Sequence, residues 1–371
     1  MNLSYWEEKY FLGKADFVVV GLGLTGLQTA ILLKEKHPKA NVIGFDRFGW
    51  SLGASTRNAG FACFANVSEI LDDLQHDSQE NVYQLITKRY LGLNKLINKF
   101  SSKSIGYEPL GSSEVFTQRN KSELYNCIDS LQAINTILYS ELGLDNVFEY
   151  TSKSFLVNGV GMIKNKFEGQ LNTGKLYHTI YERAIDLGVK LLGGNQVVSW
   201  ERSDTIQLKM SSGMELDTSN LIFCTNAFNS ALIDEEIKPV RGQVLVTEQL
   251  NKPPKKGSFF YDKGYYYWRD IDNRILIGGA RNADFKGEES DKFEANETVE
   301  RELKRFLYEE IFDKEVKIES KWSGIMGMGT SKEKTPIVKE VEPGVFMAAR
   351  LGGMGVALSS MIAEDLVNLM K

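Results

Sequence analysis

The sequence predicts an α/β fold of two domains, one built on a Rossmann-like parallel sheet and the other α+β with a mostly antiparallel sheet. Three observations carry that expectation. Residues 15–46 run strand, glycine-rich turn, helix, strand and acid. The length of 371 residues is too great for one comfortable core and suggests about two domains. Short strand candidates separated by turns follow one another between residues 189 and 278, which suits a sheet meander. An apolar content of 42% and a charged content of 25% are those of an ordinary soluble globular protein.

The first element is the most informative. An apolar β-type run delivers the chain to Gly21-x-Gly23-x-x-Gly26, after which helical spacing begins at Leu24 and Thr25. Gly21 permits the tight reversal, Gly23 lets backbone approach a pyrophosphate, and Gly26 lets helix and strand pack closely. A helix N-terminus offers unpaired N–H groups and a positive dipole end to phosphates. The next strand, Asn41 to Phe45, ends at Asp46, where such folds place an acid on ribose hydroxyls. The pattern predicts a bound dinucleotide.

Residues 49–66, rich in Gly, Ala, Ser and Asn, read as a long loop beside that site. Helical spacing covers Ser68 to Phe100, Lys121 to Leu142, Gly174 to Leu187 and Phe293 to Phe312. Strands are expected at 107–118, Val189 to Leu192, Val197 to Trp200, Gln207 to Met210 and Leu216 to Cys224. Pro239 to Thr247, Ser258 to Trp268 and Arg274 to Gly278 continue the series. The final segment reads strand (Val345 to Ala349), glycine-rich loop (Arg350 to Gly355) and helix (Val356 to Met370).

Charge and cysteine usage exclude several classes. A net charge of −5 is no electrostatic footprint for nucleic acid or anionic lipid. Cys63, Cys127 and Cys224 are odd in number and lack C-x-x-C spacing, so neither a disulfide framework nor a zinc site is expected. His37, His76 and His178 share no ligand spacing, and no metal is expected. The N-terminus lacks the organisation of a secretory signal, and no apolar run reaches the ~18 residues of a membrane span. A cytoplasmic setting fits.

The segment directly after Asp46 and Arg47, Gly53-Ala54-Ser55-Thr56-Arg57-Asn58-Ala59-Gly60, resembles the signature of the D-amino-acid oxidase superfamily, which includes glycine, sarcosine and γ-glutamylputrescine oxidases. Further matches follow in order: Cys224-Thr225-Asn226-Ala227, Pro239 to Gln243, the tyrosine-rich strand, Ile277-Gly278-Gly279, Trp322-Ser323-Gly324 and Gly352-Gly353-Met354-Gly355-Val356. Ser4-Tyr5-Trp6 resembles the opening of the γ-glutamylputrescine oxidase branch. The resemblance implies FAD, held noncovalently, in a domain formed by residues 1–83, 152–232 and 322–371, with residues 84–151 and 233–321 forming the substrate domain. It implies FAD contacts at Gly21, Gly23, Leu24, Thr25, Gly26, Asp46, Arg47, Ser55, Thr56, Arg57, Asn58, Ala59, Gly60, Val197, Thr225, Asn226, Gly352, Gly353, Met354, Gly355 and Val356. Ser55, Thr56 and Arg57 suit a pyrophosphate by hydroxyl and charge-assisted bonds, and small residues suit the flavin ring.

The implied chemistry is oxidation of a C–N bond in a primary or secondary amine or amino-acid derivative, by hydride transfer to the flavin, giving an imine. No catalytic side chain is assigned. Met326 stands where glycine oxidase has a carboxylate-binding arginine, and no cysteine is present there for covalent flavin attachment. Met354 and Ala357 replace a His and a Lys of sarcosine oxidase, and no lysine stands near Leu276, where sarcosine oxidase activates oxygen. Oxygen or another electron acceptor is therefore expected. Tyr265 and Tyr267 share one face by strand alternation and are candidates to face substrate, aromatic rings being attractive to amines. Arg241, Arg281 and Arg350 are candidate anion anchors. Cys63 reads as a small buried residue near the flavin loop, with a redox role as the alternative. Two other readings stay open: a non-catalytic flavin-binding protein and an NAD-linked dehydrogenase.

Overall fold

The computed structural model describes residues 3–228, 232–252, 255–330 and 332–370. The β-branched run Ala15–Val20 forms the central strand of an eight-stranded sheet whose main path is Ile337–Glu342, Val345–Ala349, Glu215–Phe223, Ala15–Val20, Val42–Asp46 and Lys190–Gly193. All neighbours on this path are parallel except the edge strand Ile337–Glu342. Near-continuous apolar strands suit a sheet covered on both faces. Val18, Val19, Ile43, Leu221 and Ile222 have no exposed surface. An antiparallel ribbon, Val197–Arg202 and Ile206–Met210, branches from Glu215–Phe223.

Helices Leu24–Lys36 and Gly355–Leu369 pack side by side on this sheet. Their contact encloses a polar pair, because Gln28 donates to Ser359 Oγ at 2.8 Å and accepts from Ser360 Oγ at 2.7 Å. Burial without these partners would leave the amide unsatisfied. Helix Gln79–Phe100 lies against Gly355–Leu369 at Gly92, where an added Cβ would sit 2.2 Å from the Ala357 carbonyl oxygen.

The second sheet also has eight strands, in the order Ile318–Gly329, Ile237–Thr247, Arg274–Gly279, Tyr266–Ile271, Ser258–Tyr261, Ser112–Thr117, Gly159–Asn165 and Phe148–Thr151. Its pairs are antiparallel except Ser258–Tyr261 with Ser112–Thr117. Helix Glu297–Phe306 covers one face through Val299, Leu303 and Phe306 against Trp268 and Ile277. The other face looks toward the glycine-rich segments of the first domain.

Several expectations are corrected. The helical region 68–100 is two helices, Val67–Asp73 and Gln79–Phe100, because Asn66 caps the first and Ser78 starts the second. The strand expected over 258–268 is a hairpin: Asp262, Lys263 and Gly264 adopt φ of 52°, 55° and 81°, which an extended strand cannot contain. The helix expected from Phe293 begins at Glu297, capped by Asn296, and ends in a wide turn over Leu307–Phe312. The loop at 49–66 holds a short helix, Ala54–Arg57, and a strand, Phe61–Ala62. Gly159–Asn165, placed by sequence in the FAD-binding unit, belongs to the second sheet. A boundary between residues 83 and 84 would cut helix Gln79–Phe100, whose first half packs with Phe116 and Leu124 and whose last turns pack with Leu27 and Ile31.

Candidate functional site

The parallel strands bring their carboxyl ends, Val20, Asp46, Gly193, Phe223 and Ala349, to one edge of the first sheet. In open α/β sheets this is the edge where ligands bind. The loops that leave it carry most of the residues singled out from sequence.

Gly21 has φ 97°, and Gly23 is the extended residue that precedes helix Leu24–Lys36. Leu27 N–H makes the first intrahelical bond, to Gly23 C=O, and Leu24 N–H is taken by Ser55 Oγ at 2.8 Å. N–H groups of the first turn have no partner within the helix. Asp46 is held by two backbone donors, Leu22 N–H to Oδ2 at 3.0 Å and Phe48 N–H to Oδ1 at 3.2 Å. Burial raises its carboxyl above the ordinary value and those bonds oppose the shift. The Arg47 guanidinium lies over the rings of Phe48 and Phe228, 4.7 and 3.9 Å from their centroids. Asn195 N–H donates to Asp46 C=O, which sets Val197, buried at the start of its strand, beside this corner.

The segment Gly53 to Gly60 continues from there. Thr56 Oγ1 donates to Ser51 C=O at 2.6 Å, and Asn58 Nδ2 donates to Ser55 C=O at 2.9 Å, so side chains of the segment tie back to its own backbone. Arg57 is clasped by the second sheet: its Nη1 donates to Ser323 C=O at 2.9 Å and Trp322 Nε1 donates to Arg57 C=O at 2.9 Å. Its guanidinium also lies 4.5 Å from the Phe293 ring centroid. Arg57 Nε is buried without a protein partner, an orphaned donor that an anionic group would satisfy. Gly60 has φ 76°, and a Cβ there would meet Leu171 O at 2.4 Å and Arg269 Nη2 at 2.9 Å.

On the far side, Asn226 has φ 47° and accepts Arg350 N–H at 3.0 Å through Oδ1. The Thr225 backbone N–H lies beside Gly21, where a Cβ would approach it to 3.1 Å. Gly352, at φ 56°, donates to Gly327 C=O, and Met354 is the residue before helix Gly355–Leu369. Two helix N-termini thus lie at the same edge of the first sheet, at Gly23 to Gly26 and at Gly353, Met354, Gly355 and Val356. A glycine cradle, two helix starts, a ribose-type acid and an orphaned arginine donor fit a dinucleotide diphosphate.

The wall opposite is the second sheet, and here the expected substrate residues part company. Tyr267 faces Phe61, ring centroids 5.3 Å apart, and its hydroxyl lies by Gly242 and Gly278. Burial pushes that phenol up to about 12, so it is neutral at ordinary pH. Tyr265 falls in the hairpin turn outside strand Tyr266–Ile271, where its carbonyl accepts Ala280 N–H. Arg241 is buried in an ion pair, with Nε and Nη2 on Glu288 Oε1 at 3.1 and 2.8 Å. Arg350 donates to Thr335 C=O and Glu333. Met326 approaches Gly242 and Gly353, whose Cβ positions would lie 3.3 and 3.8 Å from its Cε and Sδ. Sequence reading did not single out Arg269, which is 6% exposed with an unpartnered Nε beneath Gly60. Its signal was the alternation that sets it on the face of Tyr267.

Cys63 is buried, its Sγ 3.8 Å from Gly169 C=O, and burial pushes the thiol well up. A thiolate is the reactive form, and burial disfavours it here. Its neighbour Glu168 has no exposure and accepts Phe64 N–H, Ala65 N–H and Ser112 Oγ–H. Burial outweighs those bonds and raises its carboxyl from 4.5 to about 7, and Glu114 shifts alike. The protonated form is favoured by the fold, so the stability these groups contribute is complete below pH 4.5 and is lost as pH rises through about 7. Glu69 acts in the other sense: burial raises it, but Lys334 and Arg89 outweigh burial and hold it at about 2, so its contribution fades only toward that pH. Thermal midpoints are expected to fall by about 5 °C between about pH 5 and pH 8, and Glu168→Gln to flatten the trend. An unchanged slope in that variant refutes the assignment.

Among the described residues no helix is long and apolar enough to cross a membrane. Comparison with known proteins agrees with this architecture. The chain is 24% identical over 377 residues to the probable oxidoreductase OrdL of Haemophilus influenzae, covering 94% of this chain and 80% of that protein. Glycine oxidase from Bacillus cereus superposes with a TM-score of 0.75 at 17% identity, covering 96% of this chain and 95% of the other. Iminodiacetate oxidase from Chelativorans sp. gives 0.77 at 16% identity, covering 95% of each. The sequence model of the DAO family, FAD-dependent oxidoreductases, matches residues 16–369. With nearly its whole length matched and the cradle for the cofactor in place, the chain belongs to the DAO family of FAD-dependent oxidoreductases.

Proposed function

We propose that this enzyme oxidises the C–N bond of a primary or secondary amine or an amino-acid derivative, with FAD bound noncovalently. The single observation behind this reading is the clasp between Arg57 and Trp322-Ser323, which sets the flavin-signature segment against an aromatic, glycine-cleared sheet face. FAD, when bound, supplies the acceptor for the hydride that leaves the carbon next to nitrogen, and the substrate is left as an imine.

The chain's own groups do the rest. Gly21 to Gly26, Ser55, Thr56 and Arg57 would hold the diphosphate, Asp46 the ribose, and the closing glycines the ring end. Ala59, Gly60, Phe61 and Tyr267 bound a space too apolar for a cationic amine, and desolvation favours the neutral form whose lone pair assists hydride loss. Tyr267, protonated, orients the substrate by its hydroxyl. Leu276, buried among Ala59, Val244 and Val246, puts no cation where sarcosine oxidase has its oxygen-activating lysine, which favours an acceptor other than oxygen. The relatives whose names specify amino acids or iminodiacetate support the substrate class.

The test is anaerobic mixing of FAD-loaded protein with primary amines, secondary amines and amino acids. Bleaching of the flavin's visible band is expected with one of these classes, followed by slow recovery in air and fast recovery with an artificial acceptor. A holoprotein bleached by dithionite but by none of the amines defeats the proposal and leaves the flavin-binding reading.

A further inference from the structure

We propose that the chain carries a second binding site, for a phosphate-bearing small anion, on the face of the second sheet that turns away from the glycine-rich segments of the first domain. It goes beyond the amine-oxidising reading and does not depend on it. A cavity of about 250 Å³ opens there, where strands Phe148–Thr151, Gly159–Asn165, Ser112–Thr117 and Ser258–Tyr261 lie side by side. Ser113, Glu149, Lys164, Lys166, Lys255 and Lys256 line it. Four cations face one acid, on a chain whose net charge is −5.

Strand alternation fixes the face. The Ser112 hydroxyl donates to Glu168, so Ser113 turns to the opposite side, the side of Val115, Met162 and Phe259 in the helix-covered core. Lys164 is the register partner of both Ser113 and Glu149, which sets its side chain in the same row as the Ser113 hydroxyl. Lys166 follows, its Nζ 3.7 Å from Glu149 Oε1. From the other side of Ser112–Thr117, the loop entering Ser258–Tyr261 brings Lys255 and Lys256. Lys255 Nζ lies 4.9 Å from the ring centroid of Phe155, and that ring meets Phe259 edge to face at 4.7 Å.

Two features separate this place from a solvated surface. Ser113 is only 9% exposed, and its hydroxyl has no hydrogen-bond partner among the described residues. Buried hydroxyls are ordinarily paired, and this one faces the cavity. Lys164, Lys255 and Lys256 make no ion pair among the described residues, and like charges gathered round one space repel until a counter-ion joins them. The residue types name the ligand class. Ammonium groups are compact point charges suited to phosphate, whereas two-point capture of a carboxylate calls for the planar fork of arginine, and among the described residues no arginine lines the cavity. A phosphate has several charged oxygens, which can meet several ammonium groups and accept the Ser113 O–H together.

The probes are sodium pyrophosphate and ADP, with succinate and sodium chloride at matched ionic strength as controls, titrated calorimetrically into FAD-loaded protein while flavin absorbance reports any displaced FAD. One saturable site per chain is expected for pyrophosphate. Lys164→Gln and Lys256→Gln should each weaken it about tenfold. Ser113→Ala should weaken it by a similar factor and keep the thermal midpoint, since its hydroxyl holds no protein partner. Lys209→Gln, on strand Ile206–Met210 of the first domain, should leave binding unchanged. ADP bound no more tightly than pyrophosphate assigns the site to the polyphosphate group alone, and ADP bound more tightly assigns it to a nucleotide. Pyrophosphate binding that is equal in wild type and in the Lys164→Gln/Lys256→Gln double variant, that succinate matches, or that releases FAD overturns the proposal. None of these results bears on whether an amine bleaches the flavin, so the two readings fail separately.

Discussion

Gly26→Ala is expected to yield a protein that purifies without flavin and unfolds far more easily than wild type. A Cβ at this position would lie 1.9 Å from Gly21 O, 3.1 Å from Gly21 C and 3.3 Å from Cys224 Cβ. The first two are backbone atoms of the turn that closes the central strand, whose Val20 and neighbouring Cys224 are joined by a main-chain hydrogen bond, so no flexible side chain can yield. The helix must move away from the sheet or the turn must open, at a cost of about 3 kcal/mol or more, and either response displaces the N–H groups meant for the diphosphate. Flavin content per chain and a denaturant midpoint measure both effects. Gly49→Ala, where nothing lies within 4 Å of the added Cβ, should change stability by about 0.5 kcal/mol at most. Stoichiometric FAD in Gly26→Ala would show that the cradle is not built as described.

Arg241→Met should destabilise the fold by about 3–5 kcal/mol, because it strands the Glu288 carboxylate, which has no exposure, without its cation. Gln243 Nε2 donates to the same Glu288 oxygen at 3.1 Å and Gln243 Oε1 accepts Asn296 N–H at 3.0 Å, so the loss reaches the cap of helix Glu297–Phe306. Adding Glu288→Gln removes the stranded charge and is expected to restore most of the stability, a coupling that a double-mutant cycle reads directly. Were Arg241 a substrate anchor, Arg241→Met would instead keep its midpoint and lose only affinity for anions. The two outcomes separate a structural ion pair from a binding group.

These cases show where sequence reading reached and where it stopped. Gly21 to Gly26, Asp46 and the helix Lys121–Leu142 were legible because a turn conformation, a strand end and an apolar period are encoded within a few residues. Asp262-Lys263-Gly264 carried the turn chemistry that splits the hairpin, but the tyrosines after it masked the signal with strong β preference. Arg269 was legible only through the strand alternation it shares with Tyr267, and Glu168 gave no signal of its own, since a charged residue before Gly169-Gln170 says nothing of what will surround it.

The sequence by itself pointed to the family and the cofactor through its motifs and to many of the helices and strands, because glycine conformations, strand alternation and helix spacing act between near neighbours in the chain. Only the tertiary structure decided where the candidate arginines find their partners. Arg57 meets a carbonyl 266 residues away, Arg241 an acid 47 residues away and Arg350 one 17 away, so the partners of these side chains are set by contacts that no local pattern records.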